Sequence, residues 1–416
     1  MRVLIRRIPW LTPGVVCVKS RLGPLLQVAA LFQVLGIHQD KRSRDQQERS
    51  AAEFSYRLVR AGICLAMLVV AANAADQKNV MVYQESGRFG GWPANHGIWA
   101  WNNEIVVGFS AAYFKHMPLD RHQYDNKKPE EPRLARSLDG GETWSIEAPK
   151  SLLPPDQGGN AAADLKEPMD FTNPNFAMTI RFIDKDKGAS LLFYSSDRGK
   201  SWHGAYNFPT FGLQGVAART DYVIEGKRQA LVILTASKTN GKEGRLFCAR
   251  TTDGGVHWKQ VSWIGDEPAG FRIMPSTVKL PNGDLLTAAR THAPDETNWI
   301  DLYRSKDKGA TWTMEAKPVG STGAHGGNPP SMIRLKDGRL CLTYGYRSEP
   351  FGIRARLSKD DGKTWAEEIV LRPDGAWWDL GYVRSVERPD GKVVTVYYFN
   401  DQPSTERFIA ATIWQP

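Results

Sequence analysis

Between residues 79 and 416, short runs of alternating apolar and polar side chains are interrupted every fifty-odd residues by a compact polar turn. The run 189–194 precedes one such turn and the run 204–208 follows it. A period of two predicts half-buried β-strands, and a polar, glycine-bearing break between two of them predicts a hairpin. The breaks share one pattern, S/T-x-D-x-G-x-x-W. It occurs at Ser137 to Trp144, Ser195 to Trp202, Thr251 to Trp258, Ser305 to Trp312 and Ser358 to Trp365, at spacings of 58, 56, 54 and 53 residues. In each copy the Asp carboxylate can accept backbone N–H bonds, the Gly supplies positive φ and the Trp packs beneath the hairpin. Asp139, Asp197, Asp253, Asp307 and Asp360 are therefore expected to hold turns rather than do chemistry.

A repeat of about 55 residues accommodates four strands, and the stretch from 79 onward holds about six of them, which predicts an all-β, six-bladed β-propeller over residues 75–416. The sixth unit, from about 374, lacks the turn motif and is expected to close on the strand near Val80 to Tyr83, so that no sheet edge is left open.

Composition narrows the picture. With 41% hydrophobic and 24% charged residues, 38 Gly and 14 Trp, the chain is globular and turn-rich. The net charge of +9 hints at nucleic acid, but residues 1–75 hold 11 Lys/Arg against 4 Asp/Glu, so the remainder carries only about +2 and no nucleic-acid partner is expected. Residues 57–74 have the layout of a secretory signal peptide: Arg57 and Arg60, an apolar stretch over 61–72 and an Ala-Asn-Ala cleavage site ending at Ala74. That apolar stretch is too short to span a bilayer. A secreted or periplasmic protein is expected, with residues 1–56 a non-native or disordered leader. Cys248 and Cys341 remain after cleavage, and pairing and free burial are both open.

The repeated turn is that of the Asp-box, or BNR-repeat, proteins, and the chain resembles the sialidase (neuraminidase) superfamily over essentially all of the mature region. The resemblance implies a sialidase-fold propeller and an exo-α-sialidase-like glycoside hydrolase that removes terminal acidic sugars from glycans, without cofactor or metal, as a monomer. The family holds the sugar carboxylate with three arginines, whose planar fork suits bidentate contact. It uses a Tyr nucleophile, activated by a Glu, and an Asp as acid/base.

Carried onto this sequence, the first arginine would be Arg88, in the Gly87 to Pro93 stretch that also carries Trp92, with Arg272 of Phe271-Arg-Ile-Met-Pro275 an echo in the fourth blade. Arg290 would be the second. Arg347, or Arg354 close behind it, would be the third. Tyr382 of Asp379-Leu-Gly-Tyr382 would be the nucleophile. The family's Glu positions fall on Met274 and on Val396-Tyr397-Tyr398, so Asp379 or Glu387 would have to substitute. Asp120, in the loop from 114 to 133, is the acid/base candidate over Asp125.

His96, His116 and His122 could form a metal trio, but they lack ligand spacing and are expected to be solvated or to contact substrate. Trp99, Trp101, Trp377 and Trp378, with Trp92, lie outside the boxes and could line a sugar site. Two other readings remain open. One is a non-catalytic carbohydrate-binding propeller. The other is a polysaccharide lyase, in which Tyr382 and His325 would remove a proton beside a uronate carboxylate.

Overall fold

The computed structural model describes residues 77–416. The leader expected at 1–56 and the signal peptide expected at 57–74 lie outside the described residues. Among those described, no helix is long and apolar enough to cross a membrane.

Six antiparallel sheets follow one another in chain order. After β1 (Lys78–Tyr83), the first blade comprises β2 (Arg88–Gly91), β3 (Ile98–Trp101), β4 (Glu104–Tyr113), β5 (Glu131–Ser137) and β6 (Ser145–Glu147). The second holds β7 (Ala177–Phe182), β8 (Ser190–Ser195) and β9 (His203–Phe208). The third runs through β10 (Val216–Ala217), β11 (Tyr222–Gly226), β12 (Gln229–Ser237), β13 (Glu243–Thr251) and β14 (Lys259–Trp263). The fourth is β15 (Phe271–Lys279), β16 (Leu285–His292), β17 (Asn298–Ser305) and β18 (Thr313–Val319). The fifth is β19 (Pro330–Arg334), β20 (Leu340–Tyr346), β21 (Gly352–Ser358) and β22 (Ile369–Arg372). β23 (Gly381–Glu387), β24 (Val393–Phe399) and β25 (Phe408–Trp414) complete the sixth, and β1 pairs with β25 as its outer strand. This is a six-bladed β-propeller, and its first strand seals the ring.

Four strands per blade does not hold throughout. The second blade has three, and the inner position of the first and third is split between two short strands that pair with one neighbour, β4 and β12 respectively. The middle strands also depart from strict alternation: every residue of β24 is buried, as are eight of the ten in β4. A strand covered on both faces by adjacent blades gains by being apolar throughout, which is why such strands read as continuous hydrophobic runs.

The five boxes connect the third and fourth strand positions and also bind blade to blade. In the fourth blade Asp307 accepts from the Thr311 backbone N–H at 2.8 Å and from the Ser305 and Thr311 hydroxyls at 2.8 and 2.6 Å, while Trp312 donates to the Gly309 carbonyl at 3.2 Å. Gly309 lies at φ 88° with its α-carbon facing the Cys248 sulfur and Leu231 of the third blade, so a side chain there would be strained and would press on the neighbour. Cys248 and Cys341 are both buried and unpaired.

Candidate functional site

Backbone irregularities mark one end of the axis. β15 and β23 each carry a register shift, between Ile273 and Ser276 and between Gly381 and Arg384. Within these bulges Met274 and Tyr382 lie at φ 55° and 50°; Trp92 and His325, in nearby loops, lie at 56° and 52°. Side chains rarely take that conformation without support, and bulges re-aim side chains beside active sites. Here the Tyr382 N–H is fixed by the buried Asn328 side chain at 2.9 Å, and its ring packs with Ala94, Ile273 and Met274.

Around the Tyr382 hydroxyl stand cations. Arg290 Nη1 donates to it at 3.0 Å, and the Arg347 guanidinium lies 5.5 Å from the ring centre. Arg290 also donates to the Gly326 carbonyl at 2.7 Å and lies 5.2 Å from the Phe271 ring. Arg347 donates to the Tyr398 hydroxyl at 2.8 Å and to the His325 carbonyl at 3.2 Å, and its guanidinium lies 5.2 Å from the Trp378 ring. Both arginines are buried, and neither forms a salt bridge among the described residues. Arg219, from the third blade, is also buried and is paired with Glu243. Burial pushes the Tyr382 phenol up, but Arg290, Arg347 and Arg219 together outweigh it, and the net shift is below the ordinary tyrosine value.

A second network lies behind Arg347. Asp379, fully buried, accepts from Tyr398 at 2.7 Å, from Arg407 Nε at 3.2 Å and from His122 Nδ1 at 2.6 Å. Burial opposes its charge, but His122, Arg407 and Arg347 win and hold the carboxyl well below the usual carboxylate range. His122 comes from the loop between β4 and β5, and Trp377 and Trp378 anchor that loop by donating to the Leu119 carbonyl, each at 2.7 Å. The Trp378 ring lies 5.2 Å from His122 and is stacked 4.3 Å from His325.

Residues 185–395, just over half of the chain, match the family of BNR repeat-like domains. The chain belongs to the BNR repeat-like family. No curated protein matches it. Among solved structures, a protein of unknown function from Dyadobacter fermentans is 22% identical with a TM-score of 0.62, covering 82% of this chain and 99% of its own. Trypanosoma rangeli sialidase in complex with 2,3-difluorosialic acid, a covalent intermediate, is 12% identical with a TM-score of 0.54; the match covers 81% of this chain and 59% of the sialidase. An α-L-arabinofuranosidase of Fusarium graminearum is 14% identical with a TM-score of 0.51, covering 79% and 97%. At such identities the likeness concerns the fold: a sialidase-like BNR-repeat propeller, shared by proteins named for different sugars.

In this BNR repeat-like chain, Tyr382, Arg290 and Arg347 come together, with His325 at the edge. Three other arginines singled out from the sequence take partners elsewhere. Arg88 pairs with Glu131 at 3.2 Å and its guanidinium lies 4.2 Å from the Tyr113 ring. Arg272 pairs with Asp301 at 3.3 Å beside Tyr303. Arg354 pairs with Glu368 over Tyr346. Each is neutralised by a carboxylate within its own blade. Asp120 is exposed and reaches His325 only through its field. Asp379 bonds His122, Tyr398 and Arg407 and is not hydrogen-bonded to Tyr382. Glu387 accepts from the Lys336 N–H at 2.8 Å, away from the phenol. Trp92 is buried in an aromatic group with Phe89, His122, Tyr124 and Tyr398.

The histidines do not gather. His96 meets the Ser110 hydroxyl at 2.9 Å, His116 packs edge-on to Phe114, and His122 binds Asp379. No group of three or more His, Cys, Asp or Glu side chains suited to a metal occurs among the described residues. Sequence reasoning missed Arg219, which carries no motif. It also missed the His122–Asp379 bond, which spans 257 positions. A cavity of about 250 Å³ is lined by Thr220, Asp221, Ser276, Ser331 and Arg384. Arg384 is buried there and donates to the Ala94 and Thr220 carbonyls at 2.6 and 2.7 Å, but the cavity lacks the phenol.

Proposed function

We propose that this chain is a glycoside hydrolase that removes a terminal, carboxylate-bearing sugar of the sialic acid type from a glycan. Tyr382 is the nucleophile, and Arg290 and Arg347 hold the sugar acid. The observation that carries this reading is the pair of buried guanidiniums, Arg290 and Arg347, bonded only to neutral acceptors. Arg347 meets the Asp379 charge only through its field, and Arg290 has no carboxylate partner among the described residues. Taking a cation out of water is costly unless it is directly paired, and a substrate carboxylate between the two arginines would offset that cost.

The same charges serve the nucleophile. Where the family positions a Glu, this chain has Met274 beside Arg290, its sulfur 3.7 Å from Nη1. A phenol with no base to take its proton can still react if surrounding cations stabilise the phenolate. The three arginines supply that stabilisation here.

The test uses a fluorinated sialoside that forms a slowly hydrolysed glycosyl-enzyme. Peptide mapping by mass spectrometry is expected to find the added sugar on Tyr382. The Tyr382→Phe variant should lose adduct and turnover while still binding a sialic acid analogue by calorimetry. Binding without adduct or turnover in the wild type would instead indicate a carbohydrate-binding propeller. His325 supports a lyase as second reading: burial and the neighbouring Arg347 lower its pKa, favouring a neutral imidazole able to take a proton. An unsaturated product absorbing in the ultraviolet would decide for that reading.

A further inference from the structure

A hydrolase that uses Tyr382 still needs a group to protonate the departing oxygen and then to activate water. Asp120, the sequence candidate, is exposed and makes no hydrogen bond to the site. His122 differs on each count. Its Nδ1 lies 2.6 Å from the Asp379 carboxylate, which is fully buried and further fixed by Tyr398 and Arg407. About a third of the His122 side chain remains exposed, and Nε2 has no hydrogen-bond partner among the described residues. The ring is wedged between Trp92, at 5.6 Å, and Trp378, at 5.2 Å. Tyr398 ties it to the nucleophile: its hydroxyl bonds both Asp379 and Arg347, and its ring lies 5.9 Å from that of Tyr382.

A carboxylate that accepts from Nδ1–H fixes the imidazole orientation and tautomer, directs the Nε2 lone pair outward and stabilises the imidazolium that forms. We infer that His122, held by Asp379, is the residue that transfers the proton at the scissile glycosidic oxygen. The inference rests on the hydrolase reading above. In the first step the Tyr382 phenolate, its proton already released to solvent, forms a bond to the anomeric carbon. The bond from that carbon to the leaving oxygen breaks, and the oxygen takes the Nε2 proton. In the second step water attacks the anomeric carbon, Nε2 accepts its proton, and Tyr382 departs as phenolate. The charged and titratable groups around the imidazole are Asp379 with its partners Arg407 and Tyr398, Tyr124 in the same aromatic group, and Glu130, whose field reaches His122.

A purely structural His122, pinning its loop to the sixth blade, makes different predictions. The discriminating variant is His122→Gln, which keeps a donor toward Asp379 but cannot carry a proton. Two substrates are compared: an alkyl α-sialoside, whose alcohol must be protonated to leave, and α-sialosyl fluoride, whose leaving group depends far less on an acid. The expected loss in kcat is at least a hundredfold on the first and less than about tenfold on the second. KM should change little, the limb of the pH profile due to the acid should disappear, and added imidazole should restore part of the rate to a His122→Gly variant. Equal losses on both substrates, with normal thermal melting, would overturn the inference.

Should the wild type cleave neither substrate, the proposed specificity fails, and the dyad is judged by nitrogen-15 NMR of His122. Nδ1 keeping its proton while Nε2 is the nitrogen that gains and loses one supports the assignment. A proton fixed on Nε2 with Nδ1 bare refutes it.

Discussion

Replacing Arg347 by Lys preserves the charge beside Tyr382 and removes the planar fork. The guanidinium spans acceptors on different sides: the Leu380 carbonyl at 3.3 Å from both Nε and Nη2, the His325 carbonyl at 3.2 Å and the Tyr398 hydroxyl at 2.8 Å. A single ammonium nitrogen cannot reach all of them and also a substrate carboxylate. Losing one charge-assisted hydrogen bond to the substrate costs roughly 1.5–3 kcal/mol, which is about a tenfold to hundredfold reduction in kcat/KM at 1.4 kcal/mol per decade. One buried acceptor left without a donor lowers stability by a further ~1–3 kcal/mol. The assay is kcat/KM on an α-sialoside with a fluorescent leaving group, with thermal melting alongside. Arg354→Lys serves as control, because Arg354 pairs with Glu368 in its own blade and should fall by no more than about twofold. Unchanged kcat/KM for Arg347→Lys in a folded protein, or a larger loss for Arg354→Lys, would refute the clamp.

Arg290→Gln removes the cation nearest the phenol, so Tyr382 should ionise at higher pH than in the wild type. An ultraviolet difference titration against Tyr382→Phe should show the rise, and the ascending limb of kcat/KM against pH should follow it. In the second-blade box, Asp197 accepts from the Ser195 hydroxyl at 2.7 Å and from the Ser201 N–H and hydroxyl at 2.9 and 2.6 Å. With solvent screening, Asp197→Ala is expected to lose about 1 kcal/mol in denaturant unfolding while keeping turnover per folded molecule. N-terminal sequencing of exported protein is expected to begin near Ala75, and retention of residues 57–74 on soluble protein would remove the secretion proposal.

What the sequence disclosed follows from the range of the interactions involved. The boxes are local: Asp307, Ser305 and Thr311 satisfy one another within seven residues, so five copies at even spacing reveal the blade repeat on their own. Tyr382, Arg290 and Arg347 are legible only through the resemblance of their segments to those of the sialidase family, not through spacing. Arg88, Arg272 and Arg354 show the limit of that approach. They stand near the right letters, yet the direction of a strand residue is set by pleat and register, and a carboxylate elsewhere in the same blade captures each of them. Arg219 and the His122–Asp379 pair depend on contacts between blades remote in sequence. The positive φ of Tyr382, which aims its ring, follows from a bulge that alternation alone does not announce.

Asp379 carries a stability role beside its hold on His122. Its carboxylate faces Arg407, a guanidinium with no exposure, and also Tyr398 and His122. Asp379→Asn exchanges a charge with acceptors only for an amide with one acceptor, leaving the Arg407 cation buried without a counter-ion. Breaking a buried pair from one side costs about 3–5 kcal/mol. For a fold of about 340 residues, whose unfolding entropy near the midpoint is roughly 0.7 kcal/mol/K, that corresponds to a fall in Tm of some 4–7 °C. Replacing both partners, as Asp379→Asn with Arg407→Met, should recover much of the loss because no uncompensated charge remains. The pH dependence has a definite sign. The native pKa of Asp379 is depressed, so its contribution is fully present above the unfolded carboxyl value near 3.9 and fades as pH falls toward the native one. The gap in Tm between wild type and Asp379→Asn should therefore narrow as pH falls below about 4. A gap that widened below about pH 4 would mean that Asp379 is protonated in the native protein, and the ion pair with Arg407 would have to be abandoned.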